Sequence, residues 1–449
     1  MQDETITAIA TAPGRGAVAI VRVSGQAARA VAAAVCPGAP LRARRAECRD
    51  VVGPDGARID AGLALFFPAP RSYTGEDVLE LHVHGSPAVA RETLLATLAA
   101  GARLAGPGEF TRRAFEAGKI DLSAAEAVAE LIAAEHRGAM LGASARLSGG
   151  LAAEVERLNC ELATLLEELA AALDFPDEVA TPDAQDVDRR LRDIARALDA
   201  LALSWERGRL VSEGAAIAIV GPPNAGKSSL LNGLLGVERA LVSEVAGTTR
   251  DTLEETVALG DGLVARLTDT AGIRPSGDAL EAAGIARSRA ALAAARLVLV
   301  VVDGSRPLSP EARALLSDTR GRERIVYFNK RDLGDAGYAA REAPEGEALV
   351  GCAHDRTTVE GLRAALAERL ADDVVDQARP HLGTARQADA VLTARRALAF
   401  AIEGLETAAP LDLLAPDLTA AHAALGQISG RDASEAVLDA IFARFCIGK

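Results

Sequence analysis

The central part of the chain contains the stretch Gly221-Pro222-Pro223-Asn224-Ala225-Gly226-Lys227-Ser228, between a short apolar run, Ile217–Val220, and a helical run, Ser229–Leu235. A strand, a glycine-containing loop and a helix in this order form phosphate-binding loops. The glycines let the backbone wrap around phosphates, and the helix N-terminus presents N–H groups to the negative charge. We expect Lys227 to reach the β- and γ-phosphates of a nucleotide and the Ser228 hydroxyl to bind Mg²⁺. A glycine loop that arose by chance is the alternative.

Two motifs further along the chain support a nucleotide site. Asp269-Thr270-Ala271-Gly272 follows the apolar run Val264–Leu267, which places a carboxylate for Mg²⁺ and a glycine N–H for the γ-phosphate at the end of a strand. Asn329-Lys330-Arg331-Asp332 follows the run Ile325–Phe328. The Asp332 carboxylate suits the two N–H donors on the edge of guanine, which adenine does not offer, so GTP is favoured over ATP. A solvated turn carboxylate is the alternative for Asp332.

The sequence pattern changes along the chain and predicts several domains. Before residue 118, short apolar runs broken by glycine and proline clusters predict an α+β domain. Between Ala215 and about Leu370, short apolar runs alternate with helical patterns, which predicts a mostly parallel sheet covered by helices on both faces. The other segments, including Leu122–Leu173 and Asp183–Val211, have helical spacing, and we expect the helices on either side of the inserted α/β unit to form one bundle. The predicted boundaries are 1–118, 119–212, 213–373 and 374–449.

Composition limits the functional classes. The 449 residues carry a formal net charge of -14, which argues against a polycation that coats nucleic acid, so any RNA contact must use local patches. Five scattered cysteines without a Cys-x-x-Cys pair encode neither a disulfide framework nor a zinc module, which favours a reducing compartment. Because no signal-peptide profile and no long uncharged apolar stretch is present, we expect a soluble, cytoplasmic protein.

The nucleotide motifs resemble those of GTPases that use potassium. In that group an Asn in the phosphate-binding loop helps to ligate K⁺, and Asn224 occupies that place, although a residue that merely tolerates an unusual backbone angle is the alternative. The segment Ser243–Asp251 looks like their switch segment. A cation held against the β- and γ-phosphates can do the electrostatic work of an arginine finger. The resemblance implies the following ligands: for Mg²⁺ Ser228 and Thr249, and for K⁺ Asn224, Ser243, Val245 and Thr248.

The same resemblance implies a set of GTP-binding residues that covers the loop, the switch segment and the motifs after the strands. These residues are Asn224, Ala225, Gly226, Lys227, Ser228, Ser229, Ser243, Glu244, Val245, Ala246, Gly247, Thr248, Thr249, Asp269, Thr270, Ala271, Gly272, Asn329, Lys330, Arg331, Asp332, Cys352, Ala353 and His354.

The residue that orients the attacking water differs from that of Ras-type enzymes. Ile273 stands where those enzymes carry a Gln, and an apolar side chain cannot orient water. In the bacterial and organellar tRNA wobble-uridine modification GTPases, the MnmE or TrmE family, a Glu at the spacing of Glu281 does so. The resemblance therefore implies Glu281 and Arg250 as catalytic residues. A carboxylate favoured by the dipole at a helix start is the alternative for Glu281.

The resemblance to the MnmE family covers essentially the whole chain. Beyond the nucleotide motifs, the matching segments are Thr11–Gly16, Arg71–His82, Pro107–Phe115 and Phe445–Lys449. The family implies a folate-binding N-terminal α+β domain, a discontinuous α-helical domain and an inserted P-loop GTPase domain, in a homodimer. Such proteins work with a flavoprotein partner, MnmG, to install a carboxymethylaminomethyl or aminomethyl-type group on C5 of the wobble uridine of tRNA. The one-carbon unit comes from 5-formyl- or 5,10-methylene-tetrahydrofolate.

The folate contacts implied by the resemblance are Arg22, Glu80, Lys119 and Lys449. A folate offers a pterin edge to a carboxylate and glutamate carboxylates to cations. Glu80, His82 and His84 share one face of a predicted strand because side chains alternate, and both a metal site and an ordinary solvated face remain open. Cys446 is either a reactive thiol, as the family tail implies, or a small apolar residue that packs the tail.

Two positions depart from the family pattern, and two other functions compete. Cys352-Ala353 stands where the family has a Ser-Ala pair at guanine, and His84-Gly85-Ser86 has one glycine where two are frequent. A ribosome-assembly GTPase would share the phosphate-binding loop, but such proteins usually append a basic RNA-binding module. The other competitor is a self-sufficient one-carbon enzyme that uses its GTPase unit as a switch.

Overall fold

In the computed structural model of the protein, residues 4–239, 254–260, 263–269, 292–293, 295–334, 348–371, 381–407 and 409–448 are described. The strands are β1 (Ile6–Ile9), β2 (Val18–Ser24), β3 (Glu47–Val52), β4 (Arg58–Phe67), β5 (Val78–His84), β6 (Arg103–Leu104), β7 (Ala215–Val220), β8 (Glu254–Gly260), β9 (Leu263–Asp269), β10 (Leu297–Asp303), β11 (Arg324–Asn329) and β12 (Ala348–Val350). The helices are α1 (Ala28–Val35), α2 (Pro87–Ala99), α3 (Glu109–Glu116), α4 (Leu122–Ala133), α5 (Arg137–Leu147), α6 (Gly150–Asp174), α7 (Ala184–Glu213), α8 (Lys227–Arg239), α9 (Pro310–Asp318), α10 (Arg356–Ala371), α11 (Ala385–Glu406), α12 (Ala415–Ser429) and α13 (Glu435–Phe442).

The chain divides into two compact units. One consists of Met1–Ala129, Arg146–Leu198 and Asp389–Lys449, and the other of Glu130–Ala145 and Asp199–Ala388. Within the described ranges, no helix is both long enough and apolar enough to cross a membrane.

The first unit contains a sheet with strand order β3-β4-β5-β2-β1-β6. Its neighbouring strands are antiparallel except for the parallel pair β1 and β6. Because side chains alternate, Val21, Val23 and Leu81 are buried in one core with residues of α1 and α2. Arg22 and Glu80 face the opposite side of the same strands. The sequence prediction of an α+β region is confirmed here.

Helices from both ends of the chain pack together in the first unit. Helix α6 carries buried apolar side chains at helical spacing, including Val155, Leu158 and Leu162, and it packs against α12. Arg431 follows α12 and donates to both carboxylate oxygens of Glu156 at 2.6 and 2.7 Å. Helices before and after the nucleotide-binding motifs therefore share a packed interface.

The helical stretch Leu122–Leu173 is not a single long helix. It consists of α4, α5 and α6, and Gly149 separates the last two with φ +85. A residue with this left-handed conformation cannot continue a right-handed helix, and glycine adopts it without a steric penalty.

The second unit contains a sheet with strand order β12-β11-β10-β7-β9-β8. All neighbouring strands are parallel except β8 and β9. One core joins Ile217 and Ile219 to residues of α8 and α10, and a second core joins Ala218 and Val220 to residues near and within α9. Alternating side chains of β7 thus enter opposite cores, which confirms the prediction of a mostly parallel sheet with helices on both faces.

Candidate functional site

The predicted phosphate-binding loop connects β7 to α8. Since β7 lies between the parallel strands β9 and β10, the loop leaves the carboxyl edge of the sheet, where such sheets bind ligands. Gly226 has φ +91, and a Cβ there would lie 2.2 Å from Nδ2 of Asn329, so only glycine fits. Asn224 has φ +62, which is the unusual backbone angle that its alternative interpretation named.

Lys227 begins helix α8 and is 6% exposed. Its Nζ donates to the carbonyl oxygens of Gly221 at 2.7 Å and Pro222 at 2.8 Å. The ammonium group is therefore held inside the loop, where its charge faces any phosphate that the loop encloses. Ser228 and Ser229 follow in the first turn of the helix.

Asn329, the last residue of β11, joins two loops of the site. Its Nδ2 donates to the carbonyl oxygen of Ala225 at 3.0 Å, and its Oδ1 accepts from the N–H of Ala353 at 2.9 Å. All three residues are buried. One amide side chain thus fixes the spacing between the phosphate-binding loop and the loop after β12.

The segment that carries the predicted guanine contact is a short turn after β11. Lys330 has φ +67, and Asp332 lies exposed in the 3-10 turn Arg331–Leu333. Nζ of Lys330 donates to Oδ2 of Asp303 at 2.9 Å. Burial would raise the pKa of the Asp303 carboxyl, but hydrogen bonds from Ser305 and Lys330 outweigh it and hold that pKa well below its usual range. A carboxylate at the end of β10 therefore anchors this turn.

Cys352 and Ala353 are buried in the loop after β12. The Cys352 N–H donates to Oγ1 of Thr358 at 3.1 Å, and that hydroxyl donates back to the Cys352 carbonyl oxygen at 2.9 Å. Burial raises the pKa of the Cys352 thiol, and the Asp332 carboxylate raises it further. The hydrogen bond from the N–H of His354 lowers the same pKa but does not outweigh the two other effects. The Thr358 hydroxyl therefore bonds to both backbone groups of Cys352, and the N–H of His354 donates to its Sγ at 3.4 Å.

Several predicted site residues lie outside the described part of the chain: Ser243, Glu244, Val245, Ala246, Gly247, Thr248, Thr249, Arg250, Thr270, Ala271, Gly272, Glu281 and Lys449. Asp269 ends strand β9, next to β7. Its backbone therefore lies at the same sheet edge as the phosphate-binding loop.

The first unit contains Arg22 and Glu80, two of the predicted folate contacts. They are directly opposite in the antiparallel register of β2 and β5. Nε and Nη2 of Arg22 both donate to Oε1 of Glu80 at 2.9 Å. The guanidinium carbon also lies 5.6 Å from the ring centre of Tyr73 and 5.7 Å from that of Phe110. This side of the sheet therefore combines a paired carboxylate, a cation and two aromatic rings.

Lys119 lies close to the loop that carries Tyr73. It is exposed, and its Cε is 3.5 Å from the position that a Cβ on Gly75 would take. The hydroxyl groups of Tyr73 and Thr111 are 2.9 Å apart, which ties the same loop to α3. The loop thus lies next to the Arg22 guanidinium through Tyr73 and next to Lys119 through Gly75.

The two histidines of β5 have different carboxylate partners. Nε2 of His82 is 3.2 Å from Oε2 of Glu80, whereas Nδ1 of His84 is 2.9 Å from Oδ1 of Asp60. Burial would raise the pKa of Asp60, but hydrogen bonds from the backbone and side chain of His84 lower it. Among the described residues, no three metal-binding side chains converge, so the metal alternative for Glu80, His82 and His84 has no support.

The C-terminal tail lies against the N-terminal sheet. Ile447 forms an antiparallel bridge with Pro107, and a Cβ on Gly448 would be 2.3 Å from the carbonyl oxygen of Ile9. Cys446 between the packed residues is exposed, while Phe445 is buried. This exposure contradicts the alternative in which Cys446 packs the tail as a small apolar residue.

Comparison with known proteins matches the chain to one protein family. The family model for the GTP-binding protein TrmE N-terminus matches residues 5–119, and the model for the MnmE helical domain matches residues 122–446. A tRNA modification GTPase MnmE from Roseiflexus sp. (strain RS-1) is 44% identical over 467 aligned positions and covers 100% of both chains. The protein of the same name from Moorella thermoacetica is 42% identical over 466 positions with the same coverage. This chain belongs to the MnmE family of tRNA modification GTPases.

As an MnmE-family protein, the chain is a GTP hydrolase, and the family modifies tRNA. Among solved structures, a variant of Era from Aquifex aeolicus bound to GDP and aluminium fluoride has a TM-score of 0.28 and 24% identity, over 40% of this chain and 65% of that chain.

Sequence reasoning missed four residues of this MnmE-family chain: Asp60, Tyr73, Phe110 and Asp303. Asp303 follows the apolar run Leu297–Val302, so the rule that located Asp269 after its strand would also have found it. Tyr73 and Phe110 lie within the family segments, but no sequence spacing indicates that they flank Arg22. The partnership of Asp60 depends on the β4–β5 register, which the sequence did not specify.

The Asn329 link predicts a loss of nucleotide affinity on substitution. Asn329→Ala removes two buried hydrogen bonds and leaves their partners unpaired, at about 1–3 kcal/mol each, so GTP should bind at least ~10-fold more weakly. Fluorescence titration with a labelled GTP analogue measures this. Asp332→Asn is the matched control, because it should change the preference between guanine and xanthine nucleotides. Asn329→Ala should instead weaken the binding of both nucleotides. Unaltered affinity in Asn329→Ala would show that the link is dispensable.

Proposed function

We propose that the protein is a potassium-activated GTPase that works with the flavoprotein MnmG to install a carboxymethylaminomethyl or aminomethyl-type group on C5 of the wobble uridine of certain tRNAs. A tetrahydrofolate derivative supplies the one-carbon unit. The protein acts in the cytoplasm as a homodimer. Its N-terminal domain (1–118) binds folate, and the GTPase domain (213–373) is inserted between the two parts of a helical domain (119–212 and 374–449).

The observation that carries the folate part of this proposal is the Arg22–Glu80 pair beside Tyr73 and Phe110. A pterin is flat and presents a row of N–H donors, so a fixed carboxylate and aromatic neighbours suit it. The glutamate portion of a folate is anionic, and Lys119 with Lys449 supply the cations. The pair lies in the region matched by the TrmE N-terminus model.

The nucleotide part rests on the loop geometry and on the order of the motifs. Oxygen donors at Ser228, Asp269 and Thr249 fit the preference of Mg²⁺ for hard ligands. Asn224, with backbone oxygens of the switch segment, fits K⁺, which supplies positive charge against the phosphates. Lys227 binds the β- and γ-phosphates, Asp332 reads guanine and Glu281 orients the attacking water.

The competing interpretation as a ribosome-assembly GTPase loses support because the similarity to MnmE proteins spans the entire chain. The model for the MnmE helical domain extends to residue 446. It therefore covers the C-terminal region in which a ribosome-assembly GTPase would carry a basic RNA-binding module.

Nucleoside analysis of tRNA tests the function directly. A strain without this protein should lack the C5 modification of the wobble uridine, and the wild-type gene should restore it. Glu80→Ala should not restore it although it leaves the nucleotide site untouched. Mass spectrometry of digested tRNA gives the result, and a fully modified wobble uridine in the deletion strain would refute the proposal.

Hydrolysis assays in matched salts test the cation and the water-orienting group. Replacing Na⁺ by K⁺ should raise GTP turnover several-fold, and Asn224→Ala should abolish that response. Glu281→Ala should lower turnover by about 10²-fold in both salts with nearly unchanged GTP affinity, as expected for loss of a positioning group. Equal wild-type rates in both salts would remove potassium from the mechanism, and normal turnover of Glu281→Ala would remove that residue.

Calorimetry with 5-formyltetrahydrofolate tests the folate site without GTP. Glu80→Ala should weaken binding by at least ~10-fold, because a charge-assisted hydrogen bond contributes about 1.5–3 kcal/mol. GTP hydrolysis should be retained, since Glu80 lies in the other compact unit. His84→Ala is a control on the same strand face, because its carboxylate partner is Asp60. Failure of the wild-type protein to bind would remove the folate claim, and equal binding by wild type and Glu80→Ala would remove Glu80.

A further inference from the structure

Helix α3 touches both the Arg22–Glu80 pair and the C-terminal segment. Its Phe110 lies beside the Arg22 guanidinium, and its Thr111 bonds to Tyr73. The next residue, Arg112, and Phe115 point to helix α13 instead. A helix of two turns thus contacts the candidate folate pocket with one set of side chains and the start of the tail with another.

Arg112 makes ionic contacts along α13. Its Nη1 donates to Oδ1 of Asp439 at 2.7 Å, its Nη2 contacts Glu435, and its Nε donates to Oε1 of Glu116 at 2.8 Å. The Arg112 side chain is 18% exposed, while those of Glu435 and Asp439 are 71% and 62% exposed. A single planar guanidinium can hold three carboxylates at once, whereas an ammonium group lacks that fork.

Aromatic packing and a close backbone approach continue the contact. The ring centres of Phe115 and Phe442 are 6.4 Å apart, and those of Phe442 and Phe445 are 5.6 Å apart. Gly108 has φ +63, and a Cβ there would lie 2.7 Å from the carbonyl oxygen of Phe442. Gly108, which precedes α3, and Phe115 within α3 therefore both pack against Phe442 at the end of α13.

The tail then runs directly from this packed end to the N-terminal sheet. Phe445 is buried beside Gly108, Ile447 pairs with Pro107, and Gly448 lies against Ile9. Only two residues, Ala443 and Arg444, separate Phe442 from Phe445. A shift of α13 must therefore move Cys446 and Ile447 as well.

We propose that Arg112 is a positioning residue for the tail: by holding Glu435 and Asp439, it fixes α13 on α3 and so places Cys446–Gly448 beside the pocket that would take a reduced folate. This inference rests on the folate function proposed above. Within the described part of the chain, Arg112 pairs with Glu116, Glu435 and Asp439, so we expect its effect on the ligand to pass through α13.

Hydrogen exchange measures the seating of the tail without any ligand. Arg112→Ala should make amides of a peptide spanning Glu435–Lys449 exchange about fivefold faster, and Arg112→Lys should have an intermediate effect. Glu435→Gln combined with Asp439→Asn should reproduce the change from the other side, at exposed positions that do not threaten folding. Arg157→Ala is the matched control, since Arg157 pairs only with Glu154 and Glu161 of its own helix in the described contacts. Unchanged exchange in Arg112→Ala and in the double carboxylate variant would overturn the proposal.

Calorimetry with 5-formyltetrahydrofolate then tests whether the effect passes through the tail. Gly448→Ala should displace the tail because its Cβ would meet Ile9, and both Gly448→Ala and Arg112→Ala should weaken binding by about threefold or more. The variant that combines both substitutions should bind the folate no more weakly than the weaker-binding single variant. Additive losses of binding free energy would overturn the route through the tail. If the wild-type protein binds no folate, the proposed function fails, and hydrogen exchange still decides whether Arg112 seats the tail.

Discussion

The nucleotide site depends on the two hydrogen bonds of the Asn329 side chain. They connect a loop that follows β7 with a loop that follows β12, and strands β10 and β11 separate these in the sheet. A primary amide can serve both loops because it carries a donor and an acceptor at a fixed distance. The lack of a side chain at Gly226 follows from this link, since any Cβ would occupy the space of the Asn329 amide. Motifs that are over 100 residues apart in sequence are therefore constrained together.

The first unit is organised by a different constraint, the alternation of side chains on β2 and β5. Val21, Val23 and Leu81 must face the helices to form a core, and this forces Arg22 and Glu80 onto the other face, directly opposite each other. A shift of either strand by one residue would bury its charged side chain and expose its apolar side chains. The free energy of core formation thus also secures the ion pair. Packing and the candidate ligand contacts are consequences of the same strand register.

The sequence predicted the elements of the structure better than their partnerships. Apolar runs located several strands, such as β7, β9 and β11, because burial on one or both faces leaves a direct pattern. Motif order indicated the loop at Gly221–Ser228 and the turn at Asn329–Asp332. Contacts such as Arg112 with Asp439 join residues 327 apart, and no local pattern encodes them. The break at Gly149 was also missed, since a glycine in a helical pattern indicates a boundary only when its left-handed conformation is known.

The arrangement around Glu80 bears on how a ligand could bind without breaking the Arg22 pair. Arg22 directs Nε and Nη2 to Oε1, and Nε2 of His82 lies 3.2 Å from Oε2, so the carboxylate has three close polar contacts. A carboxylate offers about four lone-pair sites, which leaves capacity for a further donor such as a pterin N–H. The Glu80 and Arg22 side chains are 17% and 19% exposed, and this partial burial strengthens the pair relative to a surface one. The guanidinium is better understood as the group that holds Glu80 in position than as a competitor for it. The side-chain entropy of Glu80 is then lost during folding. A ligand that adds one more hydrogen bond gains the free energy of that bond without a further loss of side-chain entropy at Glu80.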